Sequence, residues 1–434
     1  MVEQFIFIAM LAVGIGLFVG RIRKIRRNIF LGRPQTINDR KAERWKTMAR
    51  VALGQSKMVV RPLAGFFHIL IYVGFVLINI EVLEILLDGI TGSHRIFAPF
   101  LGGFYVVAIG FFEVLALLVM LACIVFLVRR LAGIPARLSS NQVKGWAHTD
   151  AMLILGIELV LMSALLLMNA AEGAMPNASV APFLVSGFIC PWLSGLSEPT
   201  LHLIERTAWW FHAAGILAFL NYLPFSKHFH IALAFPNVWY SKLEPKGKFF
   251  NHEAVKKEVE LMMNPAADPY AASTEGAEPI KFGAKDVVDL SWKQLLDAYS
   301  CTECGRCSSE CPAHQTGKLL SPRKIMMDTR DRLEEVGRNI DTHGVGHSDG
   351  KSLLGDFITE EELWACTTCN ACTQACPVNI DPLSIIMDLR RELVLEQSKA
   401  PGSLTAMFNN VENNGAPWPF SPADRGNWRN GSTT

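Results

Sequence analysis

Long apolar runs fill the first half of the chain and are missing from the second. Five of them, over roughly 3–20, 63–87, 103–128, 149–171 and 207–226, approach or reach the length that a bilayer core demands of a helix. Beyond residue 236 the apolar positions shrink to amphipathic stretches at helical spacing, such as 287–299. The pattern predicts an all-α chain in four parts. Residues 1–236 form a transmembrane domain, 237–290 a linker rich in Pro, Gly, Ala and charge that ends in an amphipathic helix, 291–400 a mainly helical soluble domain, and 401–434 an aromatic tail.

Charge orients the spans. Glu3 precedes the first run, while Arg21, Arg23, Lys24, Arg26 and Arg27 follow it, which reverses the flanks of a signal peptide. The 1–2 and 3–4 connections are basic, whereas 88–102 and 172–205 are nearly free of Lys and Arg. By the positive-inside rule the N-terminus is expected outside, with the soluble half in the cytoplasm below the inner (cytoplasmic) membrane. The net charge is only +1, and no basic stripe is interleaved with aromatics, so no nucleic-acid partner is expected.

Cysteine placement changes the picture most. Of ten cysteines, eight fall in two runs, Cys301-Thr-Glu-Cys304-Gly-Arg-Cys307-Ser-Ser-Glu-Cys311-Pro312 and Cys366-Thr-Thr-Cys369-Asn-Ala-Cys372-Thr-Gln-Ala-Cys376-Pro377. Both match the spacing of bacterial two-cluster ferredoxins, in which three thiolates hold one [4Fe–4S] cluster and the fourth turns to the other. Cys376 is therefore expected to join Cys301, Cys304 and Cys307, and Cys311 to join Cys366, Cys369 and Cys372. Zinc is the competing reading, but it is usually met by separated C-x2-C pairs rather than two complete four-cysteine runs. An internal repeat supports the pairing of halves: Ser321-Pro322 and Asp381-Pro382 each open an amphipathic helix with an N-cap residue and proline at its start. Cys123 and Cys190 stand alone and read as packing residues.

Ionisable side chains inside spans are costly and point to function. Here they are His68 and Glu81 (with Glu84), Glu113, Glu158 and His212. His68 lies about 9 Å below the inner surface of an outward-running span, at 1.5 Å per residue. His230, near the inner end of the last span, can meet it across a haem b. His212 and His230 are 18 residues apart, so on an unbroken helix they share a face, about 27 Å apart. His148 and His228 read first as solvated or hydrogen-bonded residues and second as cofactor contacts.

Five spans with His212, then Leu223-Pro224-Phe225-Ser226-Lys227, then His230, resemble the haem-b gamma subunit of respiratory nitrate reductases. That family pairs two histidines of its second span with two of its fifth; here the second span has only His68, and the outer partner is replaced near Ile78–Asn79. The resemblance implies His68 and His230 as axial ligands of one haem b. For His212 two roles stay open: a second haem, or a quinone site beside Glu81, with Glu113 and Glu158 as further proton-handling candidates. Residues 285–400 resemble the helical C-type ferredoxin component of heterodisulfide reductases.

Together the halves are similar to fused subunits of quinone-interacting membrane oxidoreductases and electron-transfer-flavoprotein:menaquinone oxidoreductases. The expected fold is a five-helix transmembrane cytochrome b bundle followed by a cytoplasmic two-cluster ferredoxin domain. The expected role is electron relay between menaquinone, or another quinone, and a cytoplasmic redox subunit. That subunit would be an electron-transfer flavoprotein or a CCG-motif heterodisulfide-reductase-like protein, since this chain has no CCG motif of its own. The same parts run in reverse would feed a heterodisulfide or sulfur-compound reductase from quinol. An iron–sulfur redox sensor is the third reading.

Overall fold

The computed structural model describes residues 1–176, 183–245, 247–264, 266 and 281–431. Of the linker read over 237–290, residues 246, 265 and 267–280 lie outside the described residues, as do 177–182 of the outer connection. Among the described residues the chain is helical, with isolated bridges (Arg33 with Ser291, Leu354 with Ile358) in place of strands.

Among the described residues, four helices are long and apolar enough to cross a membrane: α1 (Val2–Ile29), α2 (Pro62–Thr91), α3 (Gly103–Leu131) and α4 (Trp146–Gly173). A fifth long helix, α5 (Glu198–Tyr222), packs along α4 and α1. It starts nine residues before the run read at 207, because backbone hydrogen bonding continues through the polar turn His202–Arg206 behind a first-turn Pro199. The bundle closes tightly where small residues allow it. A Cβ on Gly74 of α2 would stand 2.3 Å from Val119 Cγ2 on α3, so only glycine permits that approach.

The run from His212 to His230 is not one helix, which corrects the shared-face expectation. α5 ends at Tyr222, two single turns (Leu223–Phe225 and Lys227–Phe229) follow, and α6 (His230–Trp239) restarts the chain. Pro224 cannot donate to the ladder, and extended Ser226 caps the restart by accepting from the His228 amide at 3.0 Å. The five-turn register between the two histidines is therefore lost.

α6 runs through residue 236 and carries the chain into the second domain. There α7 (Trp292–Tyr299), α8 (Pro322–His343) and α9 (Pro382–Arg391) enclose a core of Leu295, Ile325, Leu333, Ile385 and Leu389. A capping box between Ser291 and Gln294 starts α7. The repeated N-caps are present: Ser321 accepts from the Lys324 amide and Asp381 from that of Ser384. The first repeat helix runs on to His343, whereas the second ends at Arg391. In the tail, α10 (Gly402–Asn414) and a turn at Pro422–Asn430 leave Trp418, Phe420 and Trp428 exposed.

The second domain sits on the basic end of the bundle. Arg21 of α1 pairs with Glu334 at 2.8 Å, Lys24 and Arg27 with Asp341, and the Arg33 backbone exchanges hydrogen bonds with Leu290 and Trp292. The basic residues that follow the first apolar run thus hold the cysteine domain.

Candidate electron-transfer site

Each cysteine run folds as a tight loop leading into a short helix. In the first, Glu303 (φ 53°) and Gly305 (φ 70°) flank Cys304; in the second, Thr368 (φ 58°) and Asn370 (φ 60°) flank Cys369. The left-handed backbone on both sides of the middle cysteine is the same in the two loops, and Gly and Asn occupy the positions that tolerate it best. Non-glycine residues held there concentrate at functional sites.

The thiols gather across the two loops. Cys307 lies in electrostatic range of Cys301, Cys304 and Cys376 and, more weakly, of Cys372, and Cys366 in range of Cys369 and Cys311. Burial pushes the Cys301, Cys372 and Cys376 thiols up to about 12, with thiol neighbours adding to it. Such a pocket disfavours bare thiolates, so the donor set fits a group that brings its own positive charge. Among the described residues no three His, Cys, Asp or Glu side chains converge on a point that one ion could occupy. Backbone amides reach two of the sulfurs, Thr368 to Cys366 at 3.4 Å and Ile380 to Cys376 at 3.3 Å. Cys301, Cys311 and Cys376 are buried, while Cys369 is exposed.

Next to the first loop lies a cluster of rings. His68 on α2 and His230 at the start of α6 face each other with ring centres 6.5 Å apart and planes 43° apart. Two imidazoles sharing a first-row metal at roughly 2.0 Å per Fe–N or Zn–N bond have centres about 6 Å apart. The Lys227 carbonyl can only accept, so His230 Nδ1 donates to it at 3.0 Å and Nε2 keeps its lone pair. His68 Nδ1 is buried with no partner, a state that costs about 1–3 kcal/mol unless a further group enters. These residues fit a group coordinated between two imidazoles.

His228 is not interfacial as read from the sequence. Its ring packs between Phe219 and His230, 5.6 Å from each, because the break after α5 folds it inward. His148 stays half-buried in the first turn of α4, outside this ring cluster. Lys227 ties the two sites together. Its ammonium bonds the Ala147 carbonyl at 2.6 Å and pairs with Glu303 at 2.5 Å, and Arg330 holds the other oxygen of Glu303 at 2.8 Å. Cys123 and Cys190 act as packing residues, Cys123 buried and Cys190 donating to the Ala170 carbonyl.

The membrane carboxylates divide. Glu81 and Glu113 share one buried network built on Arg95, which bonds Glu81 at 3.5 Å, Asn169 at 2.7 Å and Glu172 at 2.8 Å; Asn169 in turn donates to Glu113. Glu84 accepts from Tyr105 at 2.6 Å. Beside the network opens a cavity of about 410 Å³ lined by Phe7, Asp88, His94, Glu172, Glu205 and Trp209. Glu158 and His212 do not join. Glu158 sits near Cys123, and His212 Nδ1 donates to the Leu161 carbonyl at 2.9 Å. Arg95 escaped the sequence reading, although it is the cation that interrupts an otherwise uncharged-looking outer connection. Lys57, Arg61, Arg137 and Lys227 escaped it as site residues too, since topology alone accounts for their charges.

Residues 297–380 match the 4Fe-4S dicluster domain family. The chain is 29% identical to the probable iron-sulfur-binding oxidoreductase FadF of Bacillus subtilis, over 98% of this chain and 60% of that protein. It is 27% identical to the EtfAB:quinone oxidoreductase of Syntrophomonas wolfei, over 90% of this chain and 54% of the relative. Over 27% of its length it is 31% identical to the C-type component of the ferredoxin/F420H2-dependent CoB-CoM heterodisulfide reductase of Methanosarcina acetivorans, 60% of which is covered. The chain therefore spans little more than half the length of the two relatives that it matches almost end to end. No solved structure matches it. These likenesses establish a 4Fe-4S dicluster domain on a helical membrane part, with iron–sulfur oxidoreductases as relatives.

Proposed function

We propose that this chain is the membrane-anchored electron-transfer part of a quinone-linked oxidoreductase. One [4Fe–4S] cluster is held by Cys301, Cys304, Cys307 and Cys376, the other by Cys366, Cys369, Cys372 and Cys311, and a haem b lies between His68 and His230. The approach of His68 to His230, beside the first cysteine loop, carries this reading. A haem bound there supplies one-electron exchange at a potential set by its axial ligands.

The chain's own residues orient and insulate. Lys227 fixes the tautomer of His230 through its carbonyl and the position of the Cys301–Cys304 loop through its ammonium. The Glu81–Arg95–Glu113 network is the proton-handling candidate for quinone chemistry, and His212 and Glu158, which lie outside it, are further single candidates. The basic end faces the cytoplasm at the inner membrane, where a flavoprotein delivers electrons. The likeness to a heterodisulfide reductase component favours, as a second reading, reversed flow from quinol to a cytoplasmic reductase.

Reduced-minus-oxidised spectra test the assignment. Replacing His68 or His230 with Leu is expected to abolish the haem α-band while both cluster signals persist, and an unchanged band overturns it. Reduced electron-transfer flavoprotein and a menaquinol analogue, added separately to the purified membranes, distinguish the two directions by which one bleaches the clusters.

A further inference from the structure

The two cysteine sets differ in the charge around them. Lys57, from the loop between α1 and α2, donates to the Cys376 carbonyl at 3.0 Å and the Thr373 carbonyl at 3.5 Å. Arg137, from the loop between α3 and α4, donates to the Cys304 carbonyl at 3.0 Å. Arg306 donates back to the Lys57 carbonyl at 2.9 Å, and Arg323 to the Arg137 carbonyl at 2.7 Å. The four cations thus form two pairs joined through backbone carbonyls, Arg306 with Lys57 and Arg323 with Arg137, and both pairs lie against the set completed by Cys376. All four bear electrostatically on its thiols. Glu303 is the carboxylate in this neighbourhood, and Lys227 and Arg330 both pair with it.

Around the other set the balance is nearly neutral. Arg390 donates to the Cys366 carbonyl at 2.6 Å, and Asp381 acts on Cys372 from the opposite side. Hydrogen bonds reach sulfur in both sets, from the Ile380 amide to Cys376, from the Thr368 amide to Cys366, and between the Thr373 hydroxyl and Cys372. Cluster potential depends on local charge, and reduction adds a negative charge that nearby buried cations favour. Arg306 also lies in electrostatic range of His68.

We propose that Lys57, Arg137, Arg306 and Arg323 form a cationic collar that raises the reduction potential of the Cys301/Cys304/Cys307/Cys376 cluster above that of its partner. Electrons arriving at the other cluster, whose Cys369 is exposed, then fall toward the membrane side. Two of the four charges come from loops of the helical bundle, so the gradient reaches its full size only when the domains are docked. The inference rests on the two-cluster reading.

Potentiometric EPR titration of the full-length protein in detergent tests it, with Cys376→Ser used to identify the collared signal. Arg137→Gln and, separately, Lys57→Met are expected to disfavour the reduced form of that cluster at least tenfold, a fall of about 59 mV for a one-electron couple. The other cluster should not move, and Arg137→Lys should restore most of the shift because charge is what acts. Equal shifts in both clusters, no shift in either, or an Arg137→Lys protein behaving like Arg137→Gln overturns the collar. Absence of two [4Fe–4S] signals in the unsubstituted protein would instead refute the underlying assignment, so the two failures are distinguishable.

Discussion

The ammonium of Lys227 reaches the carboxylate of Glu303 at 2.5 Å, joining the segment that bears His228 and His230 to the loop that bears Cys301 and Cys304. Both side chains are more than nine-tenths buried. Removing Lys227 leaves the desolvated Glu303 with Arg330 as its cation, so the loss falls below the about 3–5 kcal/mol of a fully unpaired buried charge. Lys227→Met is expected to lower the unfolding midpoint, and the double variant Lys227→Met/Glu303→Gln to recover part of the loss. Thermal unfolding in detergent measures both, and simple additivity would argue against a coupled pair.

A second contact makes docking depend on pH. Asp341 of α8 accepts from Lys24 and Arg27 of α1, and these hydrogen bonds hold its carboxyl below the ordinary 3.8. A carboxyl depressed in the folded state stabilises fully above its unfolded value and loses that contribution as pH falls through the lowered value. Docking of the cysteine domain on α1 should therefore weaken below about pH 3.8 in the native protein. In Asp341→Asn it should be weaker already at neutral pH, with this acid step gone. Hydrogen exchange of the α1–α8 contact across the acid range reads both.

Cysteine exchange should expose the crossed pairing. Cys376→Ser is expected to remove the cluster of Cys301, Cys304 and Cys307 and spare the other; Cys311→Ser should do the reverse. Iron content near half of the unsubstituted value, with one EPR signal lost in each case, is the expected outcome. Loss of the same signal from Cys311→Ser and Cys301→Ser would place all four ligands on one loop.

Arg95 is 5% exposed and bonds Glu172, Asn169 and Glu81. Arg95→Leu leaves buried carboxylates without their cation, again at about 3–5 kcal/mol. Adding Glu172→Gln should rescue part of it, whereas Arg95→Lys should rescue less, because an ammonium cannot reproduce the guanidinium's several fixed donors. Yield of folded protein on size exclusion, together with thermal midpoints, decides the order.

The sequence made legible whatever depends on spacing along the chain. Four spans, both cysteine loops and the paired N-caps at Ser321 and Asp381 follow from periodicity and motif, and the structure has them. What depended on tertiary approach stayed hidden. A proline can kink a helix or end it, and only packing decides, so the break after Tyr222 and the inward turn of His228 had no sequence signal. Lys57 and Arg137 look like any inside charge until the cysteine loops are brought against them. Glu81 and Glu113 were grouped with Glu158 and His212 by depth alone, and the side-chain network separates the four.

The collar also fixes a sequence of events in the making of the protein. Lys57 and Arg137 are synthesised well before Cys301, so the half of the cradle that the bundle supplies is complete before the first cluster thiol emerges. Once the domain has settled, Cys301 and Cys376 are buried, and those loops bond the carbonyls of Cys376 and Cys304. Docking is then the step that closes the cradle over these cysteines.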